Sequence, residues 1–425
     1  MVHEPIDVGF ADDLLGKLSS LFAQYGDAFR VFSPITQSHI YVLSHPDHAR
    51  HVLVTHHDNY TKGIGIERVG ILLGNGIMVS EGELWRRQRK MIQPAFHRSV
   101  ISGMLQHIAA ANLQLSDKWV GYANRKQEIN VTQEMSEITL RVVLRAIFGP
   151  DIDKMSTPTG ANPFSLLTEE TERNLAFAYK FRLLTKLVME CVDRRRTQNE
   201  KHSDLLGVMM AARDRKSGEP MADRQLLDEV MTLIVAGHET TASALNWMWY
   251  LLSQNPEIEK RLHQEVDNLQ SLPITLEDTM RFAYTRQVIE ETLRLYPPGW
   301  LLTRRSIEAD NIGGYSIAPK TEIFISPYLL HRHPQFWDQP ERFDPDRFEP
   351  DRIEQRNRFV YLPFALGPRA CIGEHFAMAE MVLHTALLAR RVHLHYVPKG
   401  SVELEGQVNL RSKHHIYMQL EIRRP

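Results

Sequence analysis

The stretch Phe364-Ala-Leu-Gly367-Pro-Arg369-Ala-Cys371-Ile-Gly373 constrains this chain more than any other part of it. It sets one of only two cysteines in a loop rimmed by glycine and proline, and a helix-like run, Glu374 to Arg390, begins directly behind it. A thiol at a helix N-terminus meets the positive end of the helix dipole and a set of unpaired N–H donors, both of which favour the thiolate. Held rigidly, with an arginine two residues earlier, such a thiolate is a soft anionic ligand suited to iron. Cys371 is therefore the candidate proximal ligand of a heme. A free cysteine in arbitrary surroundings is more often a small packed hydrophobe. That reading fits the second one, Cys191, in the helix-like run Leu187-Val-Met-Glu-Cys-Val-Asp-Arg194.

Helical periodicity dominates the rest. Helices are expected at Ala11–Tyr25, Glu81–Gln93, Arg98–Gly121, Gln133–Phe148, Leu175–Arg196, Asp223–Ser253, Asn255–Leu269, Phe282–Leu295 and Glu374–Arg390. Short strands fit Phe29–Phe32, His39–Leu43, Leu301–Ser306, Asn311–Ile317, Glu322–Ile325 and two or three segments after Val392, with Ser44-His-Pro46 capping a further helix. A length of 425 residues alone suggests two or three domains. No repeat or low-complexity linker divides the chain, however, and the expectation is one unit, residues 1–425, with 1–28 as an N-terminal arm and helix. The fold class is mainly α with small β-sheets at the edges.

Composition excludes several functions. A formal net charge of −2 offers no footprint for nucleic acid, and two cysteines give no disulfide framework and suit a reducing compartment. Met1-Val-His-Glu-Pro-Ile-Asp-Val lacks the basic and apolar regions of a secretory signal. Met231 to Leu252 is apolar and free of lysine and arginine, but His238, Glu239 and Asn246 interrupt it. An ionised group at mid-bilayer costs about 2.5–3.5 kcal/mol. A long helix through the middle of a large soluble protein accounts for both features, and the chain is expected to be soluble, cytoplasmic and without a membrane anchor.

Residues Phe364 to Gly373 resemble the heme-binding loop of the cytochrome P450 family: Phe seven before the cysteine, Gly four before, Arg two before and Gly two after. Ala365 departs from it, standing where many members have glycine. Further motifs extend the resemblance over roughly residues 29–422. It implies a single-unit P450 fold with heme b (iron protoporphyrin IX) between the long central helix and the cysteine-loop helix, and Phe364 packed near the sulfur. Ala236-Gly237-His238-Glu239-Thr240-Thr241 matches the family's segment of the long helix, and Thr240 and Glu239 are then the alcohol and acid that deliver protons during oxygen activation. A zinc-protease His-Glu-x-x-His pattern fails there, because Ala242 holds the second histidine position. A Thr hydroxyl can also bond the carbonyl four residues back and bend the helix.

The resemblance implies three more groups of residues. Glu291-Thr-Leu-Arg294 with Pro340-Glu-Arg342-Phe343 matches a buried Glu/Arg/Arg network, assigned to Glu291, Arg294 and Arg342. Trp85 and Arg89, Arg369, and Arg304 or its neighbour Arg305 match contacts to the heme propionates. Met78, Leu233, Ala236, Gly237, Gly299, Trp300, Leu301 and Leu410 line the substrate pocket, although general core packing explains Leu233 and Leu410 equally well.

The implied activity is a heme-dependent monooxygenase that takes O2 and two electrons and inserts one oxygen into a small apolar substrate. Electrons come from NAD(P)H through a reductase and a ferredoxin or flavodoxin-type donor, which docks by the basic surface at Arg86, Arg87 and Lys90. The chain itself is expected to be a monomer. Some soluble fatty-acid hydroxylases of this type anchor the carboxylate with an arginine on the first strand pair. The matching Ile35-Thr-Gln-Ser-His-Ile-Tyr41 has none, only His39 and Tyr41, which tilts the substrate toward a terpenoid or steroid. A peroxide-driven peroxygenase is disfavoured by the Glu239-Thr240 pair, and a non-enzymatic heme sensor would need neither relay nor pocket.

Overall fold

The computed structural model describes residues 4–5, 13–34, 37–155, 162–169, 175–198, 202–268 and 275–424. Much of the N-terminal arm expected within 1–28 lies outside them. The long helices are α1 (Leu14–Tyr25), α2 (Gly82–Ile92), α3 (Arg98–Asn124), α4 (Val131–Phe148), α5 (Leu175–Gln198), α6 (Asp223–Gln254), α7 (Pro256–Asp267), α8 (Ala283–Leu295) and α9 (Glu374–Ala389). The strands are β1 (Glu4–Pro5), β2 (Ala28–Ser33), β3 (Ser38–Leu43), β4 (Tyr60–Lys62), β5 (Glu128–Asn130), β6 (Leu302–Ser306), β7 (Asp310–Ile312), β8 (Tyr315–Ile317), β9 (Glu322–Ile325), β10 (Val392–Val397), β11 (Leu404–Gly406), β12 (Leu410–Ser412) and β13 (Tyr417–Ile422).

Helix α6 is the axis. It packs along α4, while α3 packs along α9 and both pairs share one apolar core. A Cβ on Gly237 would stand 2.9 Å from Val143 Cγ2, so this glycine lets α6 approach α4 closely. His238 bonds Ser136 of α4 at 3.0 Å. Asn255-Pro256 ends α6 and starts α7, since proline is accepted at a first helical turn and discourages helix in the residue before it. Among the described residues no helix is long and apolar enough to cross a membrane.

The main sheet runs β1-β2-β3-β9-β6-β4. It sits beside the helices with two smaller apolar clusters on its faces. The β10-β13-β5 sheet covers the C-terminal end of the helical core. One expected strand divides: Asn311–Ile317 is the hairpin β7–β8, turned at Gly313 and Gly314 with φ of +57° and +88°. Adjacent glycines supply the positive φ that a tight hairpin turn requires.

Candidate active site

The cysteine loop is closed by its own backbone. Cys371 N–H donates to the Phe364 carbonyl at 2.8 Å, and Ala370 N–H to Gly367 at 3.0 Å. A Cβ on Gly367 would lie 2.0 Å from the Leu53 carbonyl oxygen, and φ there is +71°, so glycine is required. Ala365 has φ +58°. An alanine in that conformation carries strain of about 1–2 kcal/mol, the physical content of its departure from the family pattern.

Backbone N–H groups of Gly373 and Glu374 reach the Cys371 sulfur and favour its thiolate. Burial is the larger influence and pushes the thiol pKa up, against the pull of the helix terminus. Cys371 nevertheless keeps open surface. Open surface on a desolvated sulfur means that it faces an internal space walled by protein. A positive partner in that space would restore the thiolate.

The long helix borders an opening too. Residues 230–234 and 241–249 of α6 are buried, while Val235, Ala236, Gly237, Glu239 and Thr240 are only half-buried. A helix through the core that becomes accessible at its middle lines a cavity. Thr240 Oγ1 donates to the Ala236 carbonyl at 2.8 Å, the back-bond that bends a helix. Glu239 Oε2 accepts from Asn409 Nδ2 at 3.1 Å. Met78 and Leu301 are half-buried, and a Cβ on Gly299 would meet nothing within 4 Å. Leu233 is 7% exposed, one turn before Ala236.

Three residues assigned to the pocket have neighbours elsewhere. Gly237 presents its missing side chain to Val143 of α4, as above. Trp300 and Leu410 belong to the cluster around Leu15 and Leu18 of α1, with Trp300 Nε1 donating to the Gln407 carbonyl at 2.9 Å. Indole in this chain finds its apolar neighbours and its acceptor in α1 and the β11–β12 turn, which periodicity within Gly299–Leu301 does not reveal.

Near the cysteine loop sits an unbalanced group of cations. Lys62 and Arg304 stand directly opposite each other on β4 and β6. Like charges so placed destabilise a sheet. Arg369 lies over the Trp85 ring at 4.2 Å and binds the Ser80 carbonyl and Glu81. Arg89 donates to the Ala370 carbonyl at 2.9 Å. Burial and Arg369 hold Arg304 down to about 10, and burial with Arg369 holds Lys62 down to about 7. Glu81 is the carboxylate that acts on Lys62, Arg304 and Arg369 alike. Arg305 points to the other strand face and is matched by Glu322 at 2.5 Å, whereas Arg304 has no carboxylate partner in a salt bridge among the described residues. A dianionic heme edge fits this set: its carboxylates would neutralise buried cations that the chain leaves in mutual repulsion.

Lys62, Glu81 and Glu229 went unnoticed in the sequence. Lys62 Nζ donates to the Ile77 and Met78 carbonyls, and Glu229 Oε2 accepts from Ile77 N–H at 2.8 Å. The loop before α2 is thus pinned from both sides. Burial pushes Glu229 up to about 7. No local pattern marks these residues, since their partners lie on separate elements.

The Glu/Arg network contains a correction. Arg294 is fully buried and binds Glu291 through Nε at 2.6 Å and Nη2 at 2.8 Å, with further bonds to the His331, Pro340 and Arg342 carbonyls. Arg342 contributes only that carbonyl and its side chain is exposed. The second arginine is Arg347, whose Nε lies 3.4 Å from Glu291 Oε1. The short helix Pro345–Phe348 turns it inward, and both Phe343-x-Pro-x-Arg347-Phe and Pro-Glu-Arg342-Phe satisfy the same sequence reading. The basic patch is also smaller than expected. Arg86 pairs with Glu83 and Asp58, and Arg87 with Asp214, leaving Lys90 exposed on that helix.

The sequence profile described as Cytochrome P450 matches residues 6–175 and 161–409. The chain is 35% identical over 389 residues to cyclooctatin synthase of Streptomyces melanosporofaciens, covering 87% of this chain and 84% of that protein. It is 33% identical over 398 residues to cyclooctat-9-en-7-ol 5-monooxygenase of the same organism, with 90% and 85% covered. The crystal structure of the cytochrome P450DA heme domain aligns with a TM-score of 0.87 at 23% identity, across 100% of this chain and 98% of that one. At that identity the likeness concerns the fold.

Proposed function

Because this chain belongs to the cytochrome P450 family of oxygen-incorporating oxidoreductases, we propose that it inserts one oxygen atom from O2 into a neutral, largely hydrocarbon substrate of terpenoid type. The observation that carries the reading is the Cys371 sulfur, accessible yet desolvated, two residues after Arg369, which with Lys62 and Arg304 forms a group of mutually repelling cations. Heme held there, with Cys371 as its ligand, supplies the activation of oxygen. The chain's own residues do the rest. Lys62, Arg89, Arg304 and Arg369 with Trp85 hold the carboxylate edge, and Phe364 packs at the sulfur. Thr240 holds a proton at Oγ1, and Glu239, oriented by Asn409, replenishes it. Met78, Ala236, Gly299 and Leu301 offer an apolar wall that excludes water and selects apolar guests.

Two observations favour a neutral substrate. Tyr41 is not available as a carboxylate anchor, because its hydroxyl donates to the Ser316 carbonyl at 3.2 Å within a buried cluster. One relative, by its name, acts on the cyclic alcohol cyclooctat-9-en-7-ol. Residues 1–425 act as one monomeric, cytoplasmic unit fed by a ferredoxin or flavodoxin-type donor and its reductase from NAD(P)H. The test is titration of the ferric protein with terpenes, steroids and fatty acids, followed in the Soret band, with product analysis under a surrogate donor. A low-to-high-spin shift and an oxygenated product from neutral terpenoids are expected. A shift with fatty acids alone overturns the substrate assignment, and no oxygenated product from any shifting compound overturns the reaction.

A further inference from the structure

Away from the cavity, the sheet β10-β13-β5 carries a cluster for which the proposed reaction has no use. Along β10, Val392 and Leu394 enter the core while His393 and His395 share the outer face, as strand periodicity requires. The antiparallel register sets Glu421 of β13 opposite His393, and therefore diagonal to His395. His395 Nε2 is 2.8 Å from Glu421 Oε2, the two imidazoles are 4.0 Å apart, and one ligand atom from each of the three residues lies within 4.8 Å of the others. We propose that His393, His395 and Glu421 form a zinc(II) site.

The neighbours supply an independent argument. Glu259 of α7 is 2% exposed, and its Oε2 lies 2.9 Å from His393 Nε2. A buried carboxylate behind an imidazole fixes the ring and reserves its other nitrogen for a cation, the usual support of a metal-bound histidine. The His263 ring meets His393 edge-on at 5.9 Å and closes the third side. The adjacent cation, Arg423, is tied off by Asp267 at 2.7 Å and by the Ala389 carbonyl at 2.6 Å, so it does not compete for Glu421. Two imidazoles and one carboxylate, with positions left for water, suit zinc, whereas calcium and magnesium prefer oxygen alone. Through Glu259 the site staples the last strand to α7. Zinc should therefore raise the melting temperature of the folded protein.

The experiment uses the heme-loaded chain without a histidine tag, dialysed against zinc chloride, with zinc-edge X-ray absorption on the loaded sample. One zinc per chain with two imidazole ligands is expected. His395→Ala and Glu421→Gln should each weaken binding about tenfold or more. Both should leave the heme spectrum and the zinc-free melting temperature unchanged. His48→Ala serves as comparator, because His45, His48 and His51 with Asp27 and Asp47 line a separate cavity of about 430 Å³. Binding that survives His395→Ala, or that is lost in His48→Ala instead, overturns the assignment. So does a protein that takes up no zinc at ~1 mM.

Discussion

Two groups of cations in this molecule differ in one respect, whether the chain itself balances them. Arg294 sits against Glu291, with Arg347 beside the same carboxylate and three carbonyls completing its donors. Lys62, Arg304 and Arg369 crowd around Glu81, and each is pulled below its ordinary pKa. The first group is complete as folded and serves the framework. The second is left with like charges in mutual repulsion, which an added anion would relieve. Burial alone does not distinguish a structural charge from a binding charge; local neutrality does.

The largest expected effect tests the balanced side. Glu291→Ala leaves Arg294 buried without its carboxylate, at a cost of about 3–5 kcal/mol. Urea unfolding measures it, and a loss below about 1 kcal/mol would show that Arg294 has no need of this partner. Next comes Glu229, whose folded pKa of about 7 exceeds its ordinary 4.5. The folded state then binds the extra proton between pH 4.5 and 7, so stability falls as pH rises through that window. The total is on the order of 3 kcal/mol. Glu229→Gln keeps an acceptor for Ile77 and should flatten this fall; an unchanged pH profile of unfolding would remove Glu229 as its source.

Arg304→Leu probes the unbalanced side. It should speed heme loss to a scavenging globin about tenfold, the worth of one charge-assisted hydrogen bond, without destabilising the heme-free fold. A variant that unfolds instead would place Arg304 among the structural charges. Arg347→Ala should cost about 1–3 kcal/mol, while Arg342→Ala should stay within about 0.5 kcal/mol. Equal losses would return Arg342 to the network. Smallest is Ala365→Gly, which relieves a left-handed alanine and should stabilise by about 1 kcal/mol in thermal unfolding. A loss there would mean that the methyl packs usefully.

Much of this was legible in one dimension. The nine helices named from periodicity are all present, because each turns a continuous apolar stripe inward and its ends carry recognisable stop signals such as Asn255-Pro256. The double glycine that splits Asn311–Ile317 was a visible turn signal that the strand reading passed over. The neighbours of Trp300 and Leu410 were hidden for a different reason. Apolar character predicts burial but not the neighbour, and theirs is α1, far off in sequence.

By itself the amino-acid order determined the family, the helical architecture, the cysteine loop, and Thr240 on the central helix. All are local patterns in which residues a few positions apart impose the geometry. The tertiary structure alone decided that Arg305 and not Arg304 pairs with Glu322, that Arg347 and not Arg342 meets Glu291, and that Lys62 and Glu229 clamp one loop between them. It also brought His393, His395 and Glu421 together across two strands. Charges act through space and their effect depends on what they are buried beside, and long-range neighbours exist only once the chain has folded.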